Sequence, residues 1–435
     1  MKKRYLVILC ACVCCLLSGC GKEKISYENT YVAGQDFQYM YYGAAYEFGL
    51  TTAETEEGYY KLMENYILYT DKETMKTVPL CGKTDCLHEK ETDPSKKGNC
   101  NAYVDTKDGF LYLCQNKLYT MKEVVEEDQN QKMVIYFELY EISLDGSKRN
   151  KVCTLKEDNV ELWLIHRGKM YFDAKQQGKD EKMHPVLKSV DLKSGKVEEI
   201  AFWEDLYEGC VEDFQAYGNY VYVYIFGLNR EVDRETEDAE DPKDWADAQV
   251  DCWLAINIQT GEVKELFAEA FKKEKKYPQS ICFWQDHLYY DYIDANWKTR
   301  KESVVYKCNL DGEQEEEWMT IDSSYKYTAD EEYFYLYNTW KESVAEGKET
   351  PTIWVYDKQG KEIDTYVIPE ANPYSNLTPG SKDKFWLTAG SEDGTFRALA
   401  YQEKGKMGMH KGEALQMQIC YEMEIDTNNT TVKED

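Results

Sequence analysis

Along most of the chain, apolar and polar residues alternate with a period of two, in short runs broken by polar turns. Such runs predict half-buried β-strands joined by tight hairpins. One unit recurs: a two-residue polar turn, one free position, an apolar residue, then an aromatic. Its clearest copy is Gln285-Asp286-His287-Leu288-Tyr289. In the same register, Gln115-Asn116 leads into Leu118-Tyr119, Arg167-Gly168 into Met170-Tyr171 and Gly218-Asn219 into Val221-Tyr222. Glu331-Glu332 leads into Phe334-Tyr335 and Lys382-Asp383 into Phe385-Trp386. Glu64-Asn65 into Ile67-Leu68 reads as a weaker seventh copy.

The copies end at positions 68, 119, 171, 222, 289, 335 and 386, a period near fifty with one long interval. One hairpin per fifty residues predicts an all-β chain built as a β-propeller of four-stranded antiparallel blades. Seven blades are expected, or six if the short first unit is not one. A second turn precedes the outer strand of most units, at Asp145-Gly146, Ser194-Gly195, Thr260-Gly261, Asp311-Gly312 and Gln359-Gly360. Glycine there supplies the positive φ that tight hairpins require. The long interval contains the acidic stretch 230–249, read as an insertion loop within a blade. The propeller is expected over 31–425 and a polar tail over 426–435. Part of Tyr31–Leu50 reads as a strand that joins the first or last blade and closes the ring.

Composition supports this reading. Aromatics make up 14 % of the 435 residues, with 37 Tyr against 9 Pro, which favours pleated surfaces. The net charge is −29, and removing Lys2, Lys3 and Arg4 with a leader makes it three charges more negative. A field of that sign repels polyphosphate and argues against nucleic-acid partners.

Lys2-Lys3-Arg4, an apolar run from Tyr5 to Leu17, and Leu17-Ser18-Gly19-Cys20 form a targeting segment over 1–19. The last four residues resemble the bacterial lipobox, Leu-(Ser/Ala)-(Gly/Ala)-Cys. The resemblance implies cleavage before Cys20 and a thioether-linked diacylglycerol on its thiol, anchoring the chain to the extracytoplasmic face of the cell membrane. The apolar run is too short to span a bilayer. Residues 20–30 read as the tether from the lipidated cysteine.

The most distinctive chemistry is the loop 81–100, with Cys81, Cys86, His88 and Cys100. Three thiols and an imidazole are a ligand set for tetrahedral Zn²⁺. Disulfides suit an exported chain equally, and Cys114 is then the partner for the thiol left over. Free thiols are the third reading. Cys153, Cys210, Cys252, Cys282, Cys308 and Cys420 read as small buried apolar side chains in strands. Trp245, Trp297 and Trp340 lie in polar loops where aromatics can grip a ligand. No phosphate-binding glycine loop, HExxH or GxSxG occurs, so no catalytic residue is assigned.

Tyr69 to Thr74, Val78-Pro79-Leu80-Cys81, Asp85-Cys86, His88 and Cys100-Asn101-Ala102 together resemble a group of surface lipoproteins from anaerobic gut Firmicutes. These carry a lipobox, a Cys-x4-Cys-x-His…Cys-Asn-Ala module, and a propeller related to the YWTD type of low-density-lipoprotein receptors. Leu139-Tyr140…Leu144-Asp145-Gly146 and Val305-Tyr306…Leu310-Asp311-Gly312 match that blade repeat; Met75 replaces its usual glycine. The resemblance implies fold and location, and no activity. The expected function is a membrane-anchored propeller that binds an extracellular ligand or an envelope protein without catalysis. The alternative is a propeller hydrolase or lyase acting on glycans or peptides, with carboxylates in the axial channel.

Overall fold

The computed structural model describes residues 25–41 and 52–424, apart from 64, 105–109, 128, 130, 158, 233–246, 279, 294–299, 339–341, 346, 369–375, 381–382 and 391–395. The leader, Cys20, the tail 426–435, most of the acidic insertion and the three loop tryptophans lie outside the described residues. Among the described residues, no helix is long and apolar enough to cross a membrane.

Seven antiparallel sheets of four strands succeed one another, over 52–79, 112–155, 163–202, 208–266, 277–322, 326–367 and 376–424. Each is one blade of a seven-bladed β-propeller. Within a blade the strands run in chain order from the innermost to the outermost. Two blades vary this plan. The innermost strand of blade 5 is in two pieces, and blade 6 gains the short parallel strand Glu413–Ala414.

The recurring turn joins the first strand of a blade to its second. In blades 2 and 5 both central residues take left-handed backbone, with Gln115, Asn116, Gln285 and Asp286 at φ between 50° and 59°. The aromatic that follows is buried in every blade: Tyr119, Tyr171, Tyr222, Tyr289, Tyr335 and Trp386. The apolar residue before it is also buried in each. The Tyr222 hydroxyl donates across to the Leu310 carbonyl in the Leu-Asp-Gly turn of the next blade, at 2.7 Å. The repeat therefore encodes both the core of a blade and its tie to its neighbour.

Blade 1 corrects one expectation. Glu64-Asn65 is not the seventh copy; it joins the second strand, Gly58–Met63, to the third, Tyr66–Asp71. The equivalent turn is Glu56-Glu57, leading through Gly58 into Tyr59-Tyr60. Both tyrosines are buried, and the Tyr60 hydroxyl reaches the Leu144 carbonyl at 3.1 Å, matching the Tyr222 contact. The first unit looked short because its second and third strands turn almost at once. Met75 adopts φ 53°, the conformation that glycine supplies in other blades.

Of the stretch Tyr31–Leu50, where a closing strand is expected, residues 42–50 lie outside the described residues. Over 25–41 the N-terminal segment adds no strand to any blade, and the described strands of blade 7 all follow position 375. Instead the segment lies across the ring of innermost strands, ending in the 3₁₀ turn Tyr39–Tyr41. Gln38 makes two 2.8 Å bonds to the backbone of Glu54 in blade 1. Gln115 of blade 2 donates its N–H to the Gly34 carbonyl. Tyr39 packs edge-on against Tyr217 of blade 4 and Phe283 of blade 5.

The fixing point is an ion pair with no exposed side-chain surface. Arg167 Nε donates to Asp36 Oδ1 at 2.6 Å and Nη2 to Oδ2 at 3.0 Å. The remaining guanidinium hydrogens reach Ser26 O, Thr30 O and Asn219 Oδ1. Beside it, His166 Nδ1 accepts the Phe37 N–H and Nε2 donates to the Gly218 carbonyl. That tautomer is neutral, and burial pushes the imidazole down to about 4. The segment 25–30, expected as tether, is thus held by backbone hydrogen bonds to blades 3 and 4.

Asp36→Ala leaves a buried guanidinium without its counter-charge. It is expected to cost about 3–5 kcal/mol of stability, read from urea unfolding. A loss below about 1 kcal/mol would show that the segment only rests on the ring.

Candidate metal centre

The loop that leaves the outermost strand of blade 1 folds into a small module before entering blade 2. Leu80 is buried and its N–H bonds the Ile67 carbonyl, so the chain departs only after the sheet ladder is complete. His88–Lys90 forms one 3₁₀ turn and Pro94–Lys97 one helical turn. Asp93 caps the second turn, accepting from the Ser95 N–H at 3.0 Å. The chain then returns along blade 1: Ile67 N–H donates to Ala102 O and Val104 N–H to Asn65 O, both at 2.9 Å. Residues 102–104 thus cover the stretch of sheet edge that the fourth strand, Thr77–Pro79, leaves bare.

These turns bring Cys81, Cys86, His88 and Cys100 together, their ligand atoms all within 4.8 Å of one another. His88 Nδ1 lies 3.5 Å from Cys100 Sγ. Around tetrahedral zinc, metal–ligand bonds of about 2.0 to 2.3 Å place neighbouring donors roughly 3.5–3.8 Å apart. The set therefore fits a metal ion with small inward movements of the side chains. The three sulfurs are gathered in this group with no disulfide bond drawn between them.

Second contacts favour thiolate ligands. Burial opposes ionisation of Cys81, yet the backbone N–H groups of Lys83 and Asn101 hold its thiol below the ordinary range. Burial, together with a hydrogen bond to Cys86, pushes Cys100 up to about 12. The backbone N–H groups of Ala102 and Tyr103 act in the opposite sense at that sulfur. The metal-free group thus retains a proton that a cation would displace. Tyr66 fixes the His88 turn by donating to its carbonyl at 3.1 Å. From blade 2, Arg149 Nη2 grips Asn101 O at 2.8 Å and Tyr103 O at 2.6 Å.

Cys114 is not brought to this group. It is buried on the innermost strand of blade 2, with Sγ directed at Gln35 O, 3.9 Å away. The pairing considered from sequence proximity fails because the chain crosses from the module to the axis of the ring in between. The six strand cysteines do lie in strands, but of these only Cys308 is fully buried.

Sequence reasoning missed three carboxyls, one in blade 3 and two in blade 4. Asp173 is buried and accepts the N–H groups of Glu161 and Leu162 at 2.9 and 2.8 Å. Burial raises its carboxyl to about 7, and that of Asp213 on the innermost strand of blade 4 likewise to about 7. Asp251, also buried and raised to about 6, accepts hydrogen bonds from Tyr224 and Gln249. Glu161 lies within electrostatic reach of Asp173, and Glu212 within reach of Asp213 and Asp251. No short-range sequence signal marks these carboxyls, because they lie on separate strands.

No family model matches the sequence, and no curated protein matches it. Solved structures do share its propeller architecture. A prolyl endopeptidase aligns with TM-score 0.49 and 13 % identity over 85 % of this chain and 49 % of its own. The dipeptidyl peptidase 4 of Porphyromonas gingivalis aligns with TM-score 0.44 and 10 % identity, over 87 % and 54 %. An oligogalacturonate lyase in complex with manganese aligns with TM-score 0.43 and 12 % identity, over 86 % and 89 %. The chain spans about half the length of the peptidases it matches. The chain is thus a seven-bladed β-propeller whose structural neighbours include peptidases and a lyase.

Proposed function

We propose that this protein is a membrane-anchored extracytoplasmic lipoprotein whose β-propeller binds a ligand or a protein partner, with one structural zinc ion holding its 81–100 loop. The observation that carries the reading is the closed ligand set. Cys81, Cys86, His88 and Cys100 fill all four positions of a tetrahedral ion, so no position is left for water or substrate. Such a site adds stability to the module and leaves recognition to the loops. The location rests on Leu17-Ser18-Gly19-Cys20.

Elemental analysis of the purified chain is expected to give one zinc per molecule, and Cys100→Ser to lose it with a fall in melting temperature. Absence of metal, with a loss of two mass units per oxidised thiol pair, would make the loop a disulfide staple instead. Cys20→Ala is expected to move the protein from the membrane fraction to the soluble one. Membrane retention of that variant, still carrying acyl chains, would end the anchoring proposal.

A second reading, a hydrolase or lyase acting on glycans or peptides, draws on the carboxyls at blades 3 and 4. Burial raises Asp173 and Asp213 to about 7, and Glu161 and Glu212 respectively lie within their electrostatic reach. A carboxyl raised in this way can serve as a general acid near neutral pH. Under this reading, cleavage of an oligosaccharide or peptide substrate falls as pH rises through about 7, as the Asp173 acid ionises. Asp173→Asn is then expected to reduce the rate at least about a hundredfold, measured by product release. An unchanged rate in Asp173→Asn would remove this residue from the chemistry.

A further inference from the structure

The first described residues are fixed to one end of the ring. Ile25 Cδ1 lies 3.1 Å from the point where a side chain on Gly168 would begin. Arg167 Nη1 donates to Ser26 O at 3.1 Å, and Asn219 Nδ2 donates to Tyr27 O. Gly168 and Asn219 occupy the turns between first and second strands. The turns between third and fourth strands come to the same end, since Leu192 N–H bonds Gly168 O and Ile258 N–H bonds Asn219 O. These outer turns carry the exposed lysines Lys148, Lys193, Lys196, Lys358 and Lys361 together with the exposed carboxylates Glu73, Asp145, Glu262, Glu313 and Glu315. The acidic insertion connects Tyr220–Leu228 to Gln249–Asn257 and so emerges at the opposite end.

We infer that the end bearing Gly168, Lys193 and Lys196 faces the phospholipid headgroups and that the opposite end faces away from the cell. The inference rests on the proposed acylation of Cys20. Four residues separate Cys20 from Ile25, and the five chain steps between them reach at most about 18 Å when extended. The nine-residue strand Tyr220–Leu228 is roughly 30 Å long, so the tether cannot bring the opposite end to the bilayer. The orientation rests on this reach and on the hydrogen bonds that fix Ser26 and Tyr27 to the turns of blades 3 and 4.

The test uses the full acylated chain added to preformed vesicles of phosphatidylcholine and phosphatidylglycerol. A sulfonated, membrane-impermeant N-hydroxysuccinimide acetate labels exposed lysines, and peptide mass spectrometry compares vesicles with detergent solution. Labelling of Lys148, Lys193 and Lys196 is expected to fall several-fold on vesicles, while Lys132 and Lys179 at the far end stay unchanged. The double variant Lys193→Glu, Lys196→Glu is expected to remain on the vesicles with Lys148 more accessible. Equal labelling of both ends in a vesicle-bound acylated chain overturns the orientation and leaves the anchor standing. Protection of Lys132 and Lys179 instead also overturns it. A mature chain whose intact mass shows no acyl group overturns the orientation and the anchor together.

Discussion

The ring depends on one guanidinium. Arg167 directs all five of its N–H donors at acceptors, four of them on the N-terminal segment. A planar fork with fixed donors suits this work, because each bond also sets the orientation of the next. Burying that charge is costly, and the paired carboxylate of Asp36 and the peptide carbonyls offset the cost. Once Arg167 is satisfied, the segment has a single path across the innermost strands. Phe37, Tyr39 and Met40 follow it into the interior. His166 stays neutral chiefly because it is buried, with the Arg167 charge beside it acting in the same direction, and its Nδ1 is needed as an acceptor.

Ring closure follows from this arrangement. Among the described residues the first and last blades exchange no strand, so no hydrogen-bonded ladder ties one to the other. Other contacts hold the seam. Tyr59 of blade 1 meets Trp386 of blade 7 edge to face at 4.7 Å. The N-terminal segment touches blade 1 through Gln38, and its 3₁₀ turn contacts the innermost strand of blade 7. The Cys/His module lies at the same seam, with Glu89 beside Tyr421 of blade 7 and Asn101 and Tyr103 held by Arg149 of blade 2. A metal ion there would stiffen the clamp that bridges three blades. The strongest cross-link available to the chain would thus sit where the sheet bonding is weakest.

The blades were legible in the sequence because their code is local. Two turn residues, one apolar residue and one aromatic fix the hairpin, its register and its buried anchor within five positions. The copy at Glu56-Glu57 was hidden because glycine occupies the free position and two tyrosines follow. The nearby Glu64-Asn65 imitates the pattern at a different turn. The Cys/His group was legible from residue type, since three thiols and an imidazole in one short loop already pointed to a shared site. That Cys114 stands apart was not legible, because distance along the chain says little once the chain crosses a blade. The N-terminal segment and the raised carboxyls were hidden for a deeper reason. Asp36 and Arg167 are 131 positions apart, and no pattern of that range exists in a single sequence.

Closing one end of the axis gives the molecule a direction. The segment 25–41 occupies the end formed by the inner turns, so a ligand entering the ring axially would come from the other end. That end is where the acidic insertion emerges between Leu228 and Gln249. It is also where the innermost strand of blade 4, Glu208–Tyr217, begins, with Asp213 at its middle, and where the third strand of the same blade begins, with Asp251 as its third residue. Burial raises both of these carboxyls. The fold therefore separates structural closure, at the plugged end and the seam, from the raised carboxyls of blade 4.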